Sequence, residues 1–208
     1  MIKAFFFDYH GVIAKDGSAK KSLLLSSKVP LTKEEINPRW SKAKIGSKNQ
    51  LKEYCVGLTT EKEFLNTFKN ETIFWDKEVF VLDLLKNKYK LAVLSNHIPQ
   101  IIDYILRELD IKSYFDEVIV SSNGLQKPDV LFFELALNRL KVKPSESVFV
   151  DDKLENIRAA KQMGFITIWL NNPITAKNNP PEMVKSIIPN FTITEFEELI
   201  SIEKQLQP

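Results

Sequence analysis

The chain is poor in the residues that build covalent or metal-bound scaffolds. Its 208 residues include one cysteine, Cys55, which excludes an internal disulfide and a cysteine-rich zinc site. Two histidines, His10 and His97, make no zinc site without further ligands at sensible spacing. No apolar run approaches ~18 residues, so no membrane-spanning helix is expected. Neither sign of charge dominates: 29 basic and 27 acidic residues leave a net +2, which argues against a nucleic-acid binder. Internal repeats, low-complexity tracts and heptad runs are also missing. The opening MIKAFFFDYH carries an acid in its apolar stretch and no small-residue cleavage site. It reads as a strand rather than a signal peptide, and a soluble cytoplasmic protein is the expectation. What is abundant is apolar bulk: 44% hydrophobic residues, with 14 Phe and 3 Trp. That fills one core of ordinary size, with room for an insertion.

Short apolar runs recur at Ile2–Phe7, Leu91–Leu94, Val118–Val120, Val148–Val150 and Phe165–Leu170. Continuous runs of this length predict strands buried on both faces, as in a parallel sheet. Helical spacing fills the gaps. Ile98, Ile101, Ile102, Ile105, Leu106 and Leu109 keep one face, as do Phe133, Ala136, Leu137 and Leu140. A further helix fits Leu154–Met163, with Gly164 placed to end it. Strand alternating with helix predicts an α/β fold, an open Rossmann-like core around a central parallel sheet. Phe191–Ile193 adds a short strand, and Thr194 with Glu197 has capping-box spacing before a closing helix.

One stretch breaks the alternation. Roughly eighty residues separate the first two strands, far more than a crossover needs. Thr32 with Glu35 and Thr60 with Glu63 have capping-box spacing, so residues 15–88 are read as an inserted helical cap, and 1–14 with 89–208 as the core. Residues 15–52 hold ten basic and three acidic side chains, a net +7. Such a run steers anionic substrates or is simply a solvated lysine-rich face. Within the cap, Phe64, Leu65, Phe68 and Cys55 read as core. Arg39–Trp40 is either a substrate-facing pair or a packed Trp beside a surface Arg. Asn171–Pro181 reads as a loop.

Ligands of an open α/β sheet bind beyond the carboxyl ends of its strands. Asp8 ends the first strand, Ser95 the second, and Asp151–Asp152 the strand at 148–150; Lys127 opens the preceding helix. Three carboxylates on one edge repel unless a cation sits among them, and oxygen ligands of this kind suit Mg²⁺. Magnesium with a lysine is what a phosphoryl group needs. A carboxylate can also act as nucleophile and form an aspartyl-phosphate. The expected reaction is two-step hydrolysis of a phosphomonoester, with Mg²⁺ as cofactor and a small phosphorylated metabolite as partner.

Asp8-Tyr9-His10-Gly11-Val12 after an apolar strand resembles the first motif of the haloacid dehalogenase (HAD) superfamily. Ser95-Asn96 resembles its second motif, Lys127-Pro128-Asp129 its third and Val150-Asp151-Asp152 its fourth. Order and spacing agree along the whole chain, and the insertion falls where the family places its helical C1 cap. The small phosphatases acting on sugar phosphates are the nearest likeness. The resemblance implies that Asp8 is nucleophile and metal ligand, and that the His10 backbone carbonyl and Asp152 complete the metal site, with Asp151 direct or through water. It implies Ser95 and Asn96 at the phosphoryl oxygen, and Lys127 pairing with Asp8 and the phosphoryl group.

One position departs from that pattern. Most family phosphatases carry an Asp two residues after the nucleophile, to protonate the leaving group and activate water; here it is His10. An imidazole of ordinary pKa near ~6.5 can do the same work. Alternatively turnover is slow, or the protein is a catalytically impaired relative with a binding or regulatory role. A haloacid dehalogenase is the weaker alternative. Those enzymes need no metal, and they lack the paired acids that Asp151–Asp152 supply. His97 is either a substrate contact near the site entrance or the start of a helix.

Overall fold

The computed structural model describes residues 1–16, 18–74, 78–171, 173 and 179–207; the loop read over Asn171–Pro181 falls partly outside them. The chain runs β1 (Ala4–Phe7), β2 (Ala14–Asp16), α1 (Ala19–Ser26), α2 (Lys33–Ile45), α3 (Gln50–Cys55), α4 (Glu61–Glu71), β3 (Ile73–Phe74), α5 (Glu78–Lys86) and β4 (Lys90–Ser95). It continues through α6 (Pro99–Glu108), β5 (Glu117–Val120), α7 (Val130–Leu140), β6 (Ser147–Asp151), α8 (Leu154–Gln162), β7 (Ile166–Leu170), α9 (Pro181–Ser186), β8 (Phe191–Ile193) and α10 (Leu199–Leu206). Among the described residues, no helix is long and apolar enough to cross a membrane.

Six strands form one parallel sheet in the order β5-β4-β1-β6-β7-β8. Both faces are covered, which is why the strands read as unbroken apolar runs. Phe5 and Phe7 join the core on one face, and Ala4 and Phe6 the core on the other. The central β1 pairs with β4 on one side, Phe7 opposite Val93, and with β6 on the other, Phe7 opposite Val150. The polar residues that end or follow these three strands are therefore brought side by side. This is the α/β architecture that the alternation predicts.

Helices α1 to α4 occupy the stretch between β2 and β3, which pair antiparallel. Thr32 and Thr60 form the expected capping boxes with Glu35 and Glu63. Phe64 and Phe68 are fully buried between the helices, as is Cys55 nearly so, and Tyr54 donates to the Ala19 carbonyl at 3.1 Å. Helix α5 also lies inside the 15–88 stretch, yet it packs on β4. Its stripe of Val81, Leu82 and Leu85 is buried in the main core.

Two local expectations are corrected. The turn before α10 is closed by Glu198, not Glu197: its Oε1 accepts from the Thr194 and Glu195 amides at 2.8 and 2.9 Å. Lys127 does not open a helix. It lies in a loop, and α7 starts three residues later with Asp129 as its N-cap, accepting from the Leu131 amide at 2.9 Å.

Candidate active site

The site is built at the carboxyl ends of β1, β4 and β6. Asp8, Asp151 and Asp152 are all buried, and each offers an oxygen within 4.8 Å of the others. The loop after Asp8 folds back tightly. The Ala14 amide donates to the Tyr9 carbonyl at 2.8 Å, and the Gly11 amide to the Ala14 carbonyl at 2.7 Å. Gly11 makes this turn at φ +82°, a conformation costly for other residues. Asp8 Oδ1 accepts from the Tyr9 amide at 2.7 Å.

Lys127 reaches in from the loop before α7. Its Nζ lies 2.9 Å from Asp8 Oδ1 and 2.6 Å from Asp151 Oδ2. Burial alone would pull its pKa down; the Asp151 and Asp8 carboxylates outweigh burial and raise it. Asp151 is further fixed by the Lys153 amide at 2.8 Å and the Asn156 amide side chain at 3.0 Å. Burial pushes its carboxyl up to about 6, against the pull of Lys127. Asp152 is pushed up to about 8, first by burial and then by Asp151 and Asp8. Its backbone carbonyl accepts from Trp169 Nε1 at 3.0 Å and from Asn179 at 2.8 Å, which fixes the backbone there, while its side-chain Oδ1 is buried with no hydrogen-bond partner among the described residues.

These features test whether a divalent cation fits. One ammonium cannot balance three buried carboxylates, and an orphaned buried oxygen costs free energy until something binds it. The donors are all hard oxygens, the set that suits Mg²⁺. A consequence for stability follows. In the metal-free protein the native Asp152 carboxyl holds a proton that the unfolded chain releases above pH ~4. The native state then binds more protons, so stability falls as pH rises from there through about 8, by on the order of a few kcal/mol. A cation bound there would compete with that proton, so the gain in melting temperature on adding Mg²⁺ should be larger at pH 8.5 than at pH 6. A gain that shrinks with rising pH would contradict the cation fit.

The other expected residues are placed as follows. Ser95 ends β4 and is buried, and its carbonyl accepts from the Ser121 amide at 2.9 Å. Asn96 turns to the Lys127 backbone: its Nδ2 donates to the Lys127 carbonyl and its Oδ1 accepts from the Lys127 amide, both at 2.7 Å. His10 is half-buried, its ring 4.9 Å from those of Tyr9 and His97 and 6.1 Å from that of Phe68. His97 is not at an entrance. It is 1% exposed, and its ring lies 4.9 Å from Trp40 and 5.8 Å from Phe68. Burial, then the neighbouring His10, hold it well below the ordinary histidine pKa. Trp40 is half-buried against Tyr54 and His97, and Arg39 reaches the Val56 carbonyl. Asn171 is tied through its amide to the Ile193 carbonyl at 2.8 Å. Asn156 and Asn179 were not anticipated. An Asn in the first helical turn after a paired acid was the available clue for Asn156, whereas Asn179 arrives from a distant loop.

The family described as haloacid dehalogenase-like hydrolase matches residues 2–164. A glyceraldehyde 3-phosphate phosphatase from Methanocaldococcus jannaschii is 35% identical over 104 residues, covering 49% of this chain and 43% of that protein. The chain thus spans less than half the length of that curated relative. Among solved structures, a 2-haloacid dehalogenase from Pseudomonas syringae superposes with a TM-score of 0.71 at 18% identity, covering 100% of both chains. The HAD-hydrolase YfnB from Bacillus subtilis, bound to magnesium, superposes at 0.67 and 18% identity, covering 97% of this chain and 98% of that one. At these identities the two structures show a shared fold.

Proposed function

The chain belongs to the haloacid dehalogenase-like hydrolases, and from that premise we propose that it is a Mg²⁺-dependent phosphatase of small organic phosphomonoesters. The observation that carries the reading is the excess of buried negative charge: Asp8, Asp151 and Asp152 gathered within 4.8 Å around a single lysine. A metal-free dehalogenase has no use for that excess. A phosphatase does, because Mg²⁺ held by Asp8, Asp152 and the His10 carbonyl, with Asp151 direct or through water, would neutralise phosphoryl oxygens. The phosphatase among its relatives points the same way.

In this mechanism Asp8 attacks phosphorus in line with the leaving alkoxide, and the P–O bond to the alkoxide breaks as the aspartyl-phosphate forms. Lys127 and Ser95 hold the phosphoryl oxygens. The His10 imidazolium protonates the departing oxygen; the neutral imidazole then takes a proton from the water that attacks phosphorus and regenerates Asp8. Helices α1 to α4 form the cap that closes over the substrate and keeps bulk water out. Asn96 acts by holding the Lys127 backbone.

The test is hydrolysis of 4-nitrophenyl phosphate across pH 5 to 9. Turnover should require Mg²⁺ and vanish in EDTA. His10→Ala should lower kcat by roughly 10²–10⁴ and remove the inflection in the histidine range. Equal rates with and without metal would sink the reading. An unchanged rate in His10→Ala would remove His10 from the mechanism.

A further inference from the structure

Lys44 is a half-buried cation that the mechanism does not use. Lys44 lies in the last turn of α2, where a lysine favours the helix dipole. Lys42 already serves that purpose and is exposed to water. Lys44 instead enters the seam between cap and core, where the one hydrogen bond its ammonium makes among the described residues is to Gln126 Oε1, at a long 3.3 Å. Gln126 is a neutral amide and the residue just before Lys127. Partial burial of an ammonium with so weak a partner costs stability.

The backbone holds Lys44 in that place. The last carbonyls of α2 dock on the core turn that leads to Lys127: the Gly124 amide donates to the Ile45 carbonyl at 3.1 Å, and the Asn123 amide to the Gly46 carbonyl at 3.2 Å. Gln50 caps the same end from within the cap, donating to the Ala43 carbonyl at 2.8 Å. Burial lowers the Lys44 pKa, and the cations Lys153 and Lys20 lower it further against a weaker pull from Glu155. Lys153 directly follows Asp152. Lys44 and Lys153 thus bring positive charge from cap and core beside the phosphoryl site, with Glu155 the acid that opposes it at Lys44.

We infer that Lys44 binds a second anionic group on the substrate, so that the preferred substrates are phosphomonoesters that also carry a carboxylate or another phosphate. This rests on the phosphatase reading above and adds the substrate class. The basic run at residues 15–52 then has a specific member at work rather than a diffuse field.

Two matched pairs test it: phosphoglycolate against ethyl phosphate, and propane-1,3-bisphosphate against propyl phosphate. The wild-type protein should show higher kcat/KM for the doubly anionic member of at least one pair, and the pair identifies carboxylate or phosphate. Lys44→Gln should reduce that preference by on the order of 10–100-fold, the range expected for one hydrogen bond to a charged group. Lys44→Arg should retain most of it, and melting temperatures of both variants show that the fold persists. No preference in the wild-type protein, or a preference unaltered by Lys44→Gln, overturns the inference. The same ratios read as dissociation constants by calorimetry separate the two failures. A preference in binding that depends on Lys44 without any turnover supports Lys44 and counts against the phosphatase.

Discussion

Asp8→Asn should lower kcat by about 10⁴–10⁶, the range for removing a covalent nucleophile, while the melting temperature does not fall. The substitution keeps the shape of the side chain and the oxygen that accepts from the Tyr9 amide at 2.7 Å. It removes a charge from a cluster in which three buried carboxylates face one ammonium. Losing repulsion among the acids offsets losing one of the two partners of Lys127. Activity and stability therefore move apart, which distinguishes loss of a nucleophile from loss of the fold. Turnover within tenfold of the wild-type protein would show that another group attacks phosphorus.

Lys127→Met should have the largest effect on stability. Its ammonium is buried between Asp8 and Asp151, at 2.9 and 2.6 Å. Methionine keeps most of the length and none of the charge. Removing one partner of a buried ion pair leaves the other uncompensated and costs about 3–5 kcal/mol. In a chain of this size that is a drop in melting temperature of roughly 6–20 °C. Mg²⁺ should recover part of the loss, because bound as proposed it would supply positive charge to the same oxygens. Turnover should fall with it, since the phosphoryl oxygens lose their fixed cation. A melting curve that coincides with that of the wild-type protein in EDTA would mean that Asp8 and Asp151 are not held charged beside Lys127.

The α/β fold was legible because its signals are local. Phe5 and Phe7 face one core and Ala4 and Phe6 the other, so β1 had to read as an unbroken apolar run. The edge that carries the candidate site followed from what comes after each run. Asp8, Ser95 and Asp151 stand far apart in sequence and meet because β1 lies between β4 and β6. Other features depend on contacts between distant segments. The depth of His97 is set by Trp40 of α2 and Phe68 of α4, which no spacing around residue 97 encodes. Asn96 sits beside Ser95 in sequence, yet its amide is committed to Lys127, thirty-one residues away. Glu197 and Glu198 offer the same carboxylate one residue apart, and the backbone geometry of the turn selects Glu198. Lys44 looks like any other lysine of a basic run until α2 docks on the turn at Asn123–Gly124.

The most direct measurement is of the covalent intermediate itself. The protein is mixed with 4-nitrophenyl phosphate and Mg²⁺, quenched in acid within the first turnover, digested and examined by mass spectrometry. One phosphoryl group is expected on the peptide carrying Asp8, labile to hydroxylamine, and none when EDTA replaces Mg²⁺ or when Asp8→Asn is used. Hydrolysis that proceeds with no phosphoryl group on that peptide, or with one on another residue, would contradict it.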